Sequence, residues 1–358
     1  MKRNPAIWLI PILAVFIVAA VLIAHFGGRL RNDHTDTETD TGSVSVSDAD
    51  GDTSDAESSA ETETETETEP VSETETDSDT ETVTSWIDGL PDMPDYADNT
   101  LGIKGGYTPD SSLTDVLTDA IAVFDRPVSF FAVDLESGTS LSYNANEKRG
   151  AASMIKAAYV YYVCRQIDAG NASLDEKLTY TAADTVYGDN VIGKAGLGKE
   201  YTLYQVIYYT IVSSDNEGYY MLLRRFGRTD YDEMISSLGC TSAFVSGTRW
   251  PDVTALDMAK IWQEIYDYKD ETATGKMLYD LFSEVEYMNF IEIALGVPVA
   301  NKAGWNSKYF SDSGIVESES STYILVVLSE GSYFNSVKSQ FYDIIRAVDA
   351  LMNDAAEK

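Results

Sequence analysis

The stretch from Asn32 to Thr84 constrains this chain most, because it cannot fold into anything compact by itself. Asp, Glu, Ser and Thr dominate it, Glu and Thr alternate without a break from Glu61 to Glu69, and no Lys or Arg occurs between Arg31 and Lys104. Such a segment buries too little apolar surface to offset its ordering entropy, and its like charges repel one another. Residues 32–100 therefore read as an extended, solvated spacer that ends in a transition around Pro91 and Pro94. Globular structure is confined to residues 101–358, enough chain to bury a full core.

Before the spacer, Lys2 and Arg3 precede an apolar run from Ala6 to Phe26, broken only by Pro11 and His25. About twenty apolar residues span a bilayer, so residues 1–31 read as a cytoplasmic tip and a single-pass signal-anchor helix. The expected location is the cell membrane, with the C-terminal domain outside the cytoplasm and held off the membrane by the spacer. The formal net charge is −34. The spacer accounts for much of it, but the remainder is also acidic, which disfavours nucleic acid as a partner.

What is missing from residues 101–358 narrows the chemistry. The only histidines, His25 and His34, lie upstream, so the domain can hold neither a Ser-His-Asp triad nor a histidine zinc site. Cys164 and Cys240 are too few and too far apart for a cysteine metal site or a disulfide framework. No glycine-rich phosphate cradle precedes a helix. No metal or organic cofactor is called for, and any nucleophilic or acid–base chemistry must come from Ser, Lys, Tyr, Asp or Glu.

The hydrophobic pattern predicts a helix over 111–124 and a hairpin of strands 128–135 and 140–143. Helices follow over 151–168, 202–212, 217–226, 231–238, 254–267 and 273–282. Strands return at 299–304, 312–317 and 322–328, and an amphipathic helix runs over 335–353. The expected fold is α/β of the α+β type. One antiparallel sheet drawn from both chain ends is flanked by helices, with an all-helical lobe inserted and a cleft between the two.

Three motifs carry possible chemistry. Ser153 and Lys156 sit three residues apart at the head of the 151–168 helix, so they share a face and a lysine amine can act on the serine hydroxyl. The same spacing also describes an exposed lysine beside a serine N-cap. Ser214-Asp215-Asn216 joins two helices. Its serine can relay a proton and its asparagine can hold an amide, yet it also fits a plain N-cap. Asn301-Lys302-Ala303-Gly304 places a cation on a strand beside a residue that lets backbone approach closely; an edge-strand lysine is the bland alternative.

In this order the motifs resemble the serine β-lactamase and penicillin-binding superfamily, class A β-lactamases in particular, whose motifs are Ser-x-x-Lys, Ser-Asp-Asn and Lys-Thr-Gly. The likeness extends to Phe131-Ala-Val-Asp-Leu-Glu-Ser-Gly138, to the segment Ile167–Tyr180, and to the strands around Ser311–Val316 and Tyr323–Leu328. It implies Ser153 as the acylated nucleophile, Lys156 as its proton acceptor or the support of that step, and Ser214 as the relay to the leaving nitrogen. Asn216 would hold the substrate amide, and Lys302 beside Gly304 would attract a carboxylate. Backbone N–H groups of Ser153 and Trp305 would form the oxyanion hole. The implied substrate is a β-lactam or a peptidoglycan stem peptide ending like D-Ala-D-Ala.

Two departures from that pattern matter. Arg249-Trp250 is followed by Pro251-Asp252, where class A enzymes carry the glutamate that activates the deacylating water, and Val253–Ala259 already resembles the helix beyond that loop. Asp252 and Glu217 are the carboxylates available as substitutes. Ala303 replaces the hydroxyl residue of Lys-Thr-Gly, and Trp305 is bulkier than the family's usual small residue. Losing a general base costs about 10²–10⁴-fold, so acylation is expected to outlive deacylation. The expectation is thus an anchored serine hydrolase with slow turnover. A binding or sensing module for wall peptides or β-lactams is the second reading, and a purely structural envelope protein the third.

Overall fold

The computed structural model describes residues 99–358 apart from Asp189, Tyr287, Met288, Glu319, Tyr333 and Phe334. The expected anchor and nearly all of the spacer lie outside the described residues. Among the described residues no helix is long and apolar enough to cross a membrane.

The chain opens with a short strand β1 (Gly102–Lys104), helix α1 (Ser111–Phe124) and strands β2 (Val128–Asp134) and β3 (Ser140–Tyr143). Strand β4 (Arg149–Gly150) leads through a 3-10 turn (Ala152–Met154) into α2 (Ile155–Asp168). The pair β5 (Lys177–Thr179) and β6 (Glu200–Thr202) precedes α3 (Leu203–Ile211), α4 (Asn216–Phe226) and α5 (Thr229–Ser237). Strand β7 (Asp252–Val253) comes before α6 (Ala255–Glu271), α7 (Ala273–Phe282) and α8 (Phe290–Leu295). Strands β8 (Val299–Asn301), β9 (Gly304–Trp305), β10 (Tyr309–Glu317) and β11 (Thr322–Glu330) and helix α9 (Asn335–Ala356) close the chain.

The main sheet runs β1-β3-β2-β11-β10-β8, with β9 also on β10, and every pairing is antiparallel. It is built from both chain ends around a helical insertion, as the pattern predicts. Its central strands are buried on both faces. Phe131, Val133, Ile324, Val326 and Leu328 meet the core shared with α2, α3, α4, α6 and α7. Their neighbours Phe130, Ala132, Tyr323, Leu325 and Val327 meet α1, α8 and α9. The period-2 alternation of a strand thus becomes two apolar layers. Each such side chain contributes about 1.5–3 kcal/mol of burial, which is why these strands read as nearly unbroken apolar runs.

Several boundaries differ from the sequence pattern for local reasons. The predicted 151–168 helix begins as a 3-10 turn, with Ala152 at φ 45°. The predicted 299–304 strand breaks at Lys302-Ala303, although its register on β10 is kept, with Asn301 opposite Gly314 and Gly304 opposite Ser311. Helix α8 and the pairs β4–β7 and β5–β6 carry too few residues to show periodicity.

Candidate active site

Helix α2 is buried around its whole circumference from Ile155 to Cys164, which makes it the axis of the helical lobe. Lys156 lies in that stretch and is fully buried. An ammonium there would be costly without partners. It has four: Nζ lies 3.1 Å from Ser153 Oγ, 2.5 Å from the Ser214 carbonyl, 3.3 Å from Ser214 Oγ and 2.7 Å from Asn216 Oδ1. The Trp250 ring covers it at 5.5 Å. Burial and the nearby charge of Lys302 push the Lys156 amine well below the ordinary lysine range, against a smaller opposing pull from Asp215. The direction is the one a proton acceptor needs.

Ser153 sits in the 3-10 turn immediately after Ala152. The left-handed conformation of Ala152 costs on the order of 1 kcal/mol and is the sort of strain that gathers at reactive turns. Strand β4 fixes the approach to this turn. Arg149 is buried and donates to Ser129 Oγ at 2.9 Å and Glu330 at 2.6 Å, and it pairs with Glu147 as well. Gly150 is required by close packing, because a Cβ there would overlap the Tyr309 ring.

The Ser214-Asp215-Asn216 junction satisfies both readings of its sequence at once. Asp215 caps α4, accepting from Gly218 N at 2.8 Å, while its second oxygen accepts from Val191 N and Ile192 N at 2.5 and 2.9 Å. Held this way, with Ser214 at φ 52°, the residues on either side both turn toward Lys156. Asn216 Nδ2 also donates to the Tyr187 carbonyl at 3.2 Å.

Lys302 reaches the same point from the sheet. It is 1% exposed, and its Nζ donates to Ser214 Oγ at 2.9 Å and to the Ala303 carbonyl at 3.2 Å. Burial lowers its pKa to about 8, against a smaller opposing effect from Asp312. Two residues on, Gly304 opens β9, and a Cβ there would come within 2.8 Å of the Ser153 and Met154 backbone nitrogens. That absence of a side chain lets β9 lie directly against the nucleophile turn. Ala303 is buried with the opposite core.

Ser153, Asn216 and Trp305 open onto a cleft of about 300 Å³, which Gly150, Tyr187, Trp250, Asp252 and Tyr309 also line. Lys156, Ser214, Lys302 and Gly304 stand behind or beside its wall. All seven sequence-derived site residues therefore fall in one contiguous region. Of the two candidate carboxylates, Asp252 lines the cleft. Glu217 is buried inside the helical lobe, where Oε1 accepts from Tyr180 at 2.7 Å and Oε2 has no partner. Among the described residues no glutamate lines the cleft. Sequence reasoning missed Tyr187 and Tyr309, since nothing in the spacing of a lone tyrosine marks it as a cleft wall. It also missed Asp312, a buried carboxyl two strand positions before Gly314.

Residues 112–354 match the family model described as the beta-lactamase enzyme family. Among solved structures, PBP-A is 18% identical with a TM-score of 0.60, the match covering 66% of this chain and 95% of that one. A PBP-A variant solved as an acyl-enzyme complex with penicillin G is 18% identical with a TM-score of 0.61, over 67% and 96% of the two chains. A β-lactamase from Sphaerobacter thermophilus is 21% identical with a TM-score of 0.60, over 67% and 96%. At these identities the structural likeness establishes the shared fold. No curated protein sequence matches the chain.

Proposed function

The chain belongs to the beta-lactamase enzyme family, a β-lactamase-related serine hydrolase, and from that premise we propose that it forms an acyl-enzyme on Ser153 with β-lactam or D-Ala-D-Ala-like substrates and releases the product slowly. The observation that carries this reading is the Lys156 amine, its pKa pushed well below the ordinary lysine range by burial and by Lys302, 3.1 Å from Ser153 Oγ. The amine takes the hydroxyl proton as Oγ attacks the carbonyl carbon. The tetrahedral oxyanion is met by backbone N–H groups of Ser153 and Trp305. As the C–N bond breaks, the leaving nitrogen takes a proton from Ser214 Oγ, which Lys156 or Lys302 restores. Asn216 holds the substrate amide, and Lys302 draws a carboxylate by its charge from beneath the wall.

Deacylation needs a base beside the ester. Among the described residues Asp252 is the one carboxylate lining the cleft, and no hydrogen bond among them ties it to Ser153 or Lys156. A rate deficit of about 10²–10⁴-fold follows for this step. The apolar run at residues 6–26 and the acidic spacer support a single-pass anchor that presents the domain at the outer surface of the cell membrane, where peptidoglycan stem peptides are the available acyl donors.

Incubation with a labelled penicillin followed by intact-protein mass tests the reading. One adduct per chain is expected, absent from Ser153→Ala. No adduct on the natural protein, or an equal adduct on the variant, rejects it. A second reading is favoured by the lack of any glutamate among the described residues lining the cleft: a sensing module that binds wall peptides or β-lactams reversibly. Fragment binding that is unchanged in Ser153→Ala, with no adduct, selects it.

A further inference from the structure

The chemistry of the cleft wall is lopsided. Four of its lining residues are aromatic: Tyr187, Trp250, Trp305 and Tyr309. Tyr187 is fully exposed and Trp305 is 51% exposed, so both offer aromatic surface to whatever enters. Among the described residues Asp252 is the single charged one lining it, and no Lys or Arg does. The two lysines of the site are buried, at 0% and 1% exposure, and their Nζ atoms are engaged with Ser153, Ser214, Asn216 and the Ala303 carbonyl.

Asp252 is held in place from two sides. Its Cα pairs with Gly150 across the β4–β7 ladder, and its carbonyl accepts from Ala243 N at 3.1 Å. Gly150 is also the residue on which the Tyr309 ring packs. The carboxylate and that ring therefore flank the same backbone position, directly ahead of the nucleophile turn. The Asp252 side chain is exposed, and among the described residues no hydrogen bond or ion pair engages its carboxylate. A free carboxylate among aromatic faces is a cation-binding arrangement. The ring quadrupoles attract an ammonium, the carboxylate pairs with it, and no wall cation competes.

We propose that this wall selects substrates carrying a cationic amine on the acyl portion, held by Asp252 among Tyr187, Trp250, Trp305 and Tyr309. The proposal rests on the acylation reading above. In that reading Ser214 and Lys302 attend the leaving nitrogen and its neighbouring carboxylate, which leaves the acyl portion to meet the Asp252 wall. The substrate class is an acyl donor with a free ammonium side chain, such as a stem peptide whose diamino residue is not crosslinked, in preference to one whose amine is blocked or replaced by an acid.

The test uses three β-lactams that differ at one substituent: benzylpenicillin and its α-amino and α-carboxy derivatives. Acylation rates on the full chain are read by intact mass at pH 6.5, where the α-amine is mostly charged. The amino compound should react fastest and the carboxy compound slowest, about five- to tenfold apart. The spread should narrow at 0.5 M salt, where an exposed pair is screened. Asp252→Asn should bring the three rates together, and Asp252→Glu should restore part of the order. Adducts that form at equal rates on the natural protein, or an order unaltered by Asp252→Asn, overturn the proposal while leaving the acylation reading intact. Failure of all three to form an adduct refutes the acylation reading, and this proposal with it.

Discussion

Lys156 and Lys302 donate to the same oxygen, with their Nζ atoms 3.3 and 2.9 Å from Ser214 Oγ. Two buried ammonium groups so placed oppose one another, and the charge of Lys302 is one cause of the depressed Lys156 pKa. The arrangement separates their roles: Lys156, its pKa pushed well below the ordinary range, is the proton acceptor, and Lys302, lowered to about 8, the residual cation.

That division predicts the pH dependence of acylation by a carboxylate-bearing β-lactam. On the acid side the rate climbs as Lys156 loses its proton. On the alkaline side it falls through about pH 8, because Lys302 is charged below that value and neutral above it. Lys302→Arg keeps its charge throughout, so its falling limb should disappear. Pre-steady-state acylation rates from pH 5 to 10 measure both limbs.

If Lys156 is the proton acceptor, Lys156→Arg should be far worse than its similar size suggests. A guanidinium cannot be deprotonated in a protein, so acylation should slow by about 10²–10⁴-fold. Reversible penicillin binding should persist, since Ser153, Asn216 and Trp305 continue to line the cleft. Single-turnover kinetics with separate measurement of reversible binding distinguishes loss of the chemical step from loss of affinity.

Persistence of the adduct follows from the cleft lining. With Asp252 its only carboxylate among the described residues, the acylated natural protein should retain its label for hours after excess penicillin is removed. Recovery of free Ser153 within seconds, followed by intact mass, would show that a base for deacylation is in place.

Gly304→Ala tests how closely β9 must approach the nucleophile turn. The added Cβ would sit 2.8 Å from Ser153 N and also overlap the Ala151 carbonyl. Both are backbone atoms with no rotamer to yield, so the turn or the strand must shift. A cost of about 1–3 kcal/mol is expected, seen as a Tm lowered by roughly 3–10 °C. Acylation should fall at temperatures where the fold is intact.

Asp312 gives a pH signature in stability rather than rate. It accepts from Ile291 N at 3.0 Å, Ser313 N at 2.9 Å and Asn301 Nδ2 at 2.9 Å, yet burial still pushes its pKa up to about 7. With the carboxyl protonated, a flipped Asn301 amide can accept its proton, which would satisfy the Asn301 Oδ1 that otherwise has no partner. The folded pKa lies above the unfolded one of 3.8. This contribution to stability is therefore complete below about pH 4 and is lost as pH rises through about 7. Stabilities from urea titrations should fall between pH 5 and pH 8 by roughly 2–4 kcal/mol more in the natural protein than in Asp312→Asn.

The sequence by itself determined which elements exist and which residues could do chemistry. Apolar strands such as 322–328 and the buried stretch Ile155–Cys164 of α2 were legible because burial on every side leaves an unbroken hydrophobic run. The absence of histidine from residues 101–358 left a Ser-Lys pair as the plausible nucleophile and base. Short pieces escaped: β4, β7 and α8 are two to six residues long, and period needs length. Only tertiary structure decided the electrostatics of the site. Ser153 and Lys156 are local in sequence, but the pKa of Lys156 depends on Lys302 more than a hundred positions away, and Asp252 meets the nucleophile turn only through a two-residue ladder. Burial and through-space charge are properties of the packed chain, and no local pattern encodes them.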